Sequence, residues 1–219
     1  LIGDGMGTAA RTAARIVGSG VSQGKVFTPL AMDRFPFTGM VHTHSLDSIV
    51  TDSSPGAAAY STGNKHQNSQ EGIFPDDTTD AFDNPRIEHL GEYLARTQGK
   101  ALGLVTTTDV EDATPASFAV HTSDRSVGTG IVDQYLDEAV PKANLTVLLG
   151  GGRRWFQPVN VAGSGRASAF DYILPEELAA AWNVNSGKID PERNLINDFE
   201  LAGFTYVATT AQLKAIPAS

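Results

Sequence analysis

Four short stretches carry side chains whose type and spacing could do chemistry. In Ile49-Val50-Thr51-Asp52-Ser53-Ser54-Pro55 an apolar segment runs into a polar pair, and the small-residue run up to Gly63 then reads as a helix. Pro55 falls in its first turn, where the fixed φ of proline suits a helix start. Ser53 therefore lies at or beside a helix N-terminus, whose unpaired N–H groups and positive dipole end favour an anion. A hydroxyl held there could attack a phosphoryl group, and the same N–H groups would steady the resulting phosphoserine. The commoner use of such residues is a plain N-cap, by Ser53 or Ser54. Asp4 sits in Gly3-Asp4-Gly5-Met6-Gly7, between the strand end Leu1-Ile2 and a helix over 8–17. That puts a carboxylate at the edge of the sheet where α/β folds bind ligands, or makes it a turn residue. Asp112 and Thr114, two apart, offer oxygen ligands to a hard cation such as Mg²⁺, or cap the helix that Pro115 begins and that runs over 116–121. Arg125 follows in Ser123-Asp124-Arg125, a setting in which arginine is ordinarily solvated.

Other patterns are set aside on physical grounds. Gly3-x-Gly5 fails as a dinucleotide fingerprint, because the third glycine would fall at Thr8. Gly20-Val21-Ser22-Gln23-Gly24 follows a helix, whereas a nucleophile elbow needs a strand before it. His42 and His44 alternate in a strand-like run over 38–45 and read as ordinary exposed residues. Gly150-Gly151-Gly152-Arg153-Arg154 could cradle a phosphate, but a tight turn that lets Trp155 and Phe156 pack is preferred.

The elements that must position these residues read as an α/β fold. The chain has 219 residues with 41% apolar content, enough for a sizeable core. A helix over 86–98, with Ile87, Leu90 and Leu94 on one stripe and Gly99 closing it, precedes a buried strand over 101–107. A second helix over 130–140 precedes a strand over 145–149. Helices over 175–182, 194–202 and from 210, and a strand over 205–208, complete the reading. This alternation argues a mostly parallel central sheet with helices on both faces. Residues 64–85, polar and aperiodic, read as an exposed loop insertion in a single domain over 1–219.

Net charge is −9, which argues against a nucleic-acid partner, so a phosphate site must build its positive field locally. There is no cysteine, which leaves oxygen and nitrogen as metal ligands. No apolar run is long enough for a membrane span.

Taken together, the motifs resemble the alkaline phosphatase family, in its bacterial form. The Gly3–Gly7 turn is similar to the family's first metal-ligand motif. Thr51-Asp52-Ser53 through Ser61-Thr62-Gly63 resembles its nucleophile segment. Asp112-Ala113-Thr114-Pro115-Ala116 through His121 and Arg125 resembles its magnesium motif and phosphate-binding arginine. Leu148-Leu149-Gly150-Gly151-Gly152-Arg153 resembles a later strand-turn. Ser54-Pro55 departs from the small residues more usual after the nucleophile.

The resemblance implies phosphate-monoester hydrolysis through a phosphoserine at Ser53, with two Zn²⁺ and one Mg²⁺. Asp4 would bridge a zinc and the magnesium, Ser53 would also ligate zinc, and Asp112 and Thr114 would ligate magnesium. Arg125 would clamp two phosphate oxygens and Asp52 would orient Arg125. The chemistry agrees, since serine needs a base or a metal to become an alkoxide and no histidine lies near Ser53 in sequence. The family's remaining zinc ligands are Asp and His from later in the chain, and the last histidine here is His121. The expectation is therefore the N-terminal portion of a larger catalytic domain, completed by a C-terminal segment of the same protein. The resemblance also implies inorganic phosphate as product and a periplasmic or secreted setting, with a homodimer left open. A related phosphodiesterase or phosphomutase, or a non-catalytic phosphate- or metal-binding fragment, are the alternatives.

Overall fold

In the computed structural model, which describes residues 1–22, 25–26 and 29–217, the chain divides into two units, Leu1–Thr43 and His44–Ser219. Each is described by itself. Gln23 and Gly24 of the glycine–serine pattern, and the chain end at Ser219, lie outside the described residues.

In the first unit, α1 spans Thr8–Ser19, capped by Gly7 and closed at Gly20, whose φ of 70° suits a residue without Cβ. Val21–Ser22 (β1) and Lys25–Val26 (β2) form a small antiparallel ladder, followed by a 3₁₀ turn at Ala31–Arg34. Arg11 and Arg15 of α1 both reach Asp33 in that turn, Arg15 Nε at 2.7 Å. Residues 18–36, whose sequence reads as a loop-rich connection, thus hold a short ladder and a turn. Leu1-Ile2 and the alternating run 38–45 form no strand, since they gain no ladder partner among the described residues.

In the second unit, α2 spans Ser53–Thr62 and α3 spans Leu90–Gln98. Gly99 closes α3 in the left-handed region at φ 63°. The expected start of α3 at 86 is corrected to 90, because Arg86 pairs in extended conformation with Ile73 and so leaves Ile87 outside the helix. Leu102–Asp109 (β3) and Leu145–Gly151 (β4) pair in parallel, with Leu102 opposite Leu145 and Leu104 opposite Leu148. A parallel pair requires a crossover. It is supplied by the one-turn α4, Ala113–Ala116, by α5, Gly128–Gln134, and by α6, Val140–Ala143. The helix expected over 116–121 is thus a single turn starting earlier, at 113.

Between α5 and α6, residues Tyr135–Ala139 form a π turn, with Val140 N–H bonded to the carbonyl of Tyr135. Pro141 lacks the N–H that would have met the carbonyl of Asp137, so the helix widens there and does not break. The later helices are α7, Glu176–Trp182, α8, Leu195–Leu201, and α9, Thr210–Ala215. Residues 205–208 form no strand among the described residues.

The core gathers Leu104, Val110, Val120, Ile131, Val132, Tyr135, Leu145 and Leu195 against one face of the β3–β4 pair. The opposite face is open, with Val105 74% exposed, so β3 is not the fully buried strand its apolar run suggested. The stretch 64–85 is irregular as expected, but an exposed loop describes only part of it. His66, Gln70, Glu71, Ile73, Phe82 and Asn84 are all buried. The backbone of Glu71 pairs with Thr122 and that of Ile73 with Arg86, which satisfies the polar groups that burial would orphan.

Buried ion pairs brace the crossover. Arg166, with a fully buried side chain, donates to both oxygens of Asp133 at 2.9 and 3.1 Å. Arg86 pairs with Glu138, which also accepts from Tyr172. Ile131 is 0% exposed and Leu201 is 87% exposed. Ile131→Ala is expected to lower stability by about 2–5 kcal/mol, and Leu201→Ala by less than about 0.5 kcal/mol. Denaturant titration checks both, and equal shifts would contradict this placing of the core.

Candidate active site

The site is assembled at the start of α2. Asp52 is the N-cap, in extended conformation, and its Oδ1 accepts the N–H of Ser54 at 2.7 Å. The cap is therefore Asp52, and neither Ser53 nor Ser54 fills that role. A carboxylate next to the positive end of α2 outcompetes a hydroxyl there, and Ser53 is left free to occupy the first helical position. The hydroxyl of Ser54 points inward and donates to Glu71 Oε1 at 3.3 Å.

Arg125, nine residues after the end of α4, reaches this helix end. Its Nη1 donates to Ser53 Oγ at 3.1 Å and lies 3.7 Å from Asp52 Oδ1, while Nη2 donates to Asp112 Oδ1 at 2.5 Å. The Arg125 side chain is 28% exposed and bonded at both Nη atoms, so the solvated-surface alternative for this residue fails. Asp112 caps α4 through the N–H of Ala113 at 2.8 Å, and its Oδ2 accepts from Thr108 Oγ1 at 3.1 Å. Cap and charge partner are thus the same side chain, and the two uses weighed for Asp112 do not exclude each other. Thr114 lies within α4, half-buried. The helices α2 and α4 are held together by Ser117, whose hydroxyl donates to the carbonyl of Ser54 at 3.2 Å and whose carbonyl accepts from Ser61. Asp4 lies in the other unit, in the turn before α1, where Gly5 has φ 63°.

Burial pushes the Asp112 carboxyl up, but the Ala113 N–H, the Arg125 guanidinium and the Thr108 hydroxyl outweigh it and hold it below the usual carboxylate range. Glu71, fully buried behind Ser54, goes the other way. Burial drives its carboxyl well above the usual range, against the pull of Arg125. Glu71, Asn68 and Ser69 are not among the residues the sequence singles out, because they lie in the polar, aperiodic stretch 64–85, which reads as exposed. The only available signal was a lone acid, Glu71, between Gln70 and the glycine Gly72.

The arrangement can bind an anion and present a nucleophile to it. A helix N-terminus and a guanidinium fork converge on one serine hydroxyl. The donors at Ser53, Asp112 and Thr114 are all oxygen, which fits a hard divalent cation such as Mg²⁺. No histidine stands among them, so this set alone does not complete a zinc site. Two other groups, His89 with Glu92 and His121, and Asp133 with Asp171 and Asp190, bring potential ligand atoms within 4.8 Å among the described residues. Neither contains an expected ligand, and Arg166 already occupies the second.

A family model described as alkaline phosphatase matches residues 1–218. The chain belongs to the alkaline phosphatase family. Alkaline phosphatase 3 of Bacillus subtilis is 34% identical over 211 residues, covering 94% of this chain and 36% of that protein. The cold-active alkaline phosphatase of a psychrophilic Shewanella superposes with a TM-score of 0.66 at 25% identity, over 98% of this chain and 42% of that one. An alkaline phosphatase mutant from TAB5, with Mg bound in its M3 site, superposes with a TM-score of 0.52 at 29% identity, over 66% of this chain and 37% of its own. The chain spans about a third of the length of the curated alkaline phosphatases it matches. The fold class follows: an alkaline-phosphatase-like α/β fold, incomplete over this length.

The glycine turn after β4 serves packing. Gly152 adopts φ 90° and starts a 3₁₀ turn that seats Trp155 against Gly128 and Gly165. Arg154 pairs with Asp109 at 3.2 Å.

Behind the site, His89 is fully buried between Ser61 and the carbonyl of Val120, at 3.3 and 2.9 Å. Burial, and then repulsion by His121, push its ring down to about 3 from an ordinary 6.5. The folded state keeps the ring neutral while the unfolded chain takes up a proton. Its contribution is thus undiminished above pH 6.5 and is lost as pH falls from there toward 3. Thermal melts across this window are expected to show falling stability, with a shallower slope in His89→Asn. An unchanged slope in the variant would contradict this.

Proposed function

We propose that the complete protein hydrolyses phosphate monoesters through a phosphoserine at Ser53, with this chain forming the N-terminal portion of a larger catalytic domain that spans 1–219 and beyond. The observation that carries the reading is the convergence on Ser53: a helix start capped by Asp52, with Arg125 Nη1 3.1 Å from Ser53 Oγ. Ser53 Oγ attacks phosphorus in line as the bond from phosphorus to the ester oxygen breaks on the opposite side, and the proton lost by the serine ends on the departing oxygen, which leaves as the alcohol. Water then cleaves the phosphoserine, releasing inorganic phosphate and restoring the hydroxyl. Throughout, the Arg125 fork holds two non-bridging oxygens and α2 N–H groups face the charge. Asp52 restrains the guanidinium from the side.

Two Zn²⁺ and one Mg²⁺ would complete this reading: by the family likeness Ser53 would hold zinc, Asp112 and Thr114 would hold magnesium, and Asp4 would serve both. When bound, such ions supply Lewis-acid stabilisation of the attacking and leaving oxygens. The remaining ligands come from the rest of the protein. The oxygen donor set at Asp112, and the Mg bound in the TAB5 relative, support the magnesium part. The same family likeness supports a periplasmic or secreted setting. No described helix is long and apolar enough to cross a membrane. The proposal leaves room for a homodimer.

Three measurements on the complete enzyme test the reading. Ser53→Ala is expected to abolish turnover and to keep phosphate binding. Arg125→Ala is expected to lower kcat/KM for p-nitrophenyl phosphate by about a hundredfold, the scale of losing a charge-stabilising donor. Chelation is expected to remove activity that Zn²⁺ plus Mg²⁺ restore. A clear preference for bis-p-nitrophenyl phosphate would favour a phosphodiesterase, and a wild-type protein without turnover would favour a binding module.

A further inference from the structure

We propose that Asn68–Ser69 is a positioning element for this site, setting the distance between the start of α2, which carries Ser53, and Arg125. The proposal rests on Ser53 being the nucleophile and Arg125 the phosphate clamp.

Both sides of the site are tied to these two residues. The N–H of Asp52 donates to Asn68 Oδ1 at 3.2 Å, and Asn68 Nδ2 donates back to the carbonyl of Val50 at 3.2 Å. The N–H of Ser69 donates to Asp52 Oδ2 at 2.7 Å. The carbonyl of Ser69 accepts the N–H of Arg125 at 3.1 Å. One residue thus holds the helix cap with its donor and the arginine main chain with its acceptor. To face both ways it adopts φ 70°, one of three non-glycine residues in the left-handed region among those described.

The element is itself anchored. The N–H of Asn68 donates to Asp47 Oδ1 at 2.9 Å. Two residues on, Glu71 exchanges both backbone hydrogen bonds with Thr122, at 2.9 and 3.0 Å. Its Oε1 accepts the hydroxyl of Ser54, the neighbour of Ser53. The side-chain bond from Arg125 to Ser53 cannot set this geometry alone, because an arginine side chain has several rotatable bonds. The main-chain tie through Ser69 fixes where that side chain begins. Asn68 and Ser69 touch no reacting atom in this arrangement, and act through Asp52 and Arg125.

The test uses the complete, metal-loaded enzyme and three variants, Asn68→Ala, Ser69→Val and Ser69→Gly. The readouts are KM for p-nitrophenyl phosphate, the inhibition constant of inorganic phosphate, and Tm. Asn68→Ala removes the bonds to Asp52 and Val50, and Ser69→Val disfavours the left-handed backbone that a β-branched residue avoids. Both are expected to weaken phosphate inhibition and raise KM by between about tenfold and a hundredfold. Ser69→Gly, at home at positive φ, is expected to recover most of what Val loses. A lowered Tm with unchanged phosphate inhibition in Asn68→Ala would overturn the proposal, as would a Ser69→Val enzyme that matches wild type. Should Ser69→Val not fold, Asn68→Ala decides. A wild-type enzyme without monoesterase activity would instead overturn the reading of Ser53 and Arg125 on which the proposal rests.

Discussion

The charge balance around Arg125 is the constraint on which the rest of the second unit depends. Three carboxyls, from Asp52, Asp112 and the buried Glu71, gather where α2 and α4 begin, and one guanidinium lies among them. Without it the two half-buried carboxylates would repel across a region of reduced dielectric. With it, Asp112 is held below the usual carboxylate range and caps its helix, Asp52 caps the other, and Ser53 receives a donor on its hydroxyl. In a chain of net charge −9, this local cation and the N-terminus of α2 supply positive field where a phosphate would sit.

The surrounding architecture reads as a support for that cluster. The parallel pair β3–β4 ends β3 at Asp109, just before Asp112, so the cap of α4 follows directly from the strand's carboxyl end. Ser117 joins α4 to α2 by bonds at both of its polar ends. The stretch 66–73 passes between α2 and the Arg125 segment and bonds to each. Burial of Glu71, with its main chain paired to Thr122, makes this stretch part of the interior despite its polar composition.

Much of this was legible from local signals. Glycines at 63, 99 and 152 end or turn their elements in the left-handed region, as their positions suggested. The helices that end near 98, 182 and 201, and the strand from 145, lie within a few residues of where periodicity put them. Taken one at a time, Ser53, Asp112 and Arg125 read more commonly as caps and a surface cation than as a nucleophile, a metal ligand and a phosphate clamp; their combination points further, through the likeness to a family. What stayed hidden was non-local. Nothing near Glu71 in sequence announces Ser54 or Thr122 as partners, so a polar stretch was taken for a solvated one. The same holds for Arg166, whose partners Asp133 and Asp190 are far along the chain. Residues 38–45, by alternation, and 205–208 read as strands, but a strand needs a neighbour to pair with, and a local pattern does not supply one.

The central claim is that Ser53 Oγ carries the phosphoryl group during turnover. Acid quenching of the complete enzyme while it turns over p-nitrophenyl phosphate, followed by phosphopeptide mapping by mass spectrometry, tests it directly. The account predicts one phosphate on the peptide that contains 51–63, located on Ser53 and absent from the Ser53→Ala enzyme. Phosphate on Ser54, or sustained turnover by the Ser53→Ala enzyme, would contradict it.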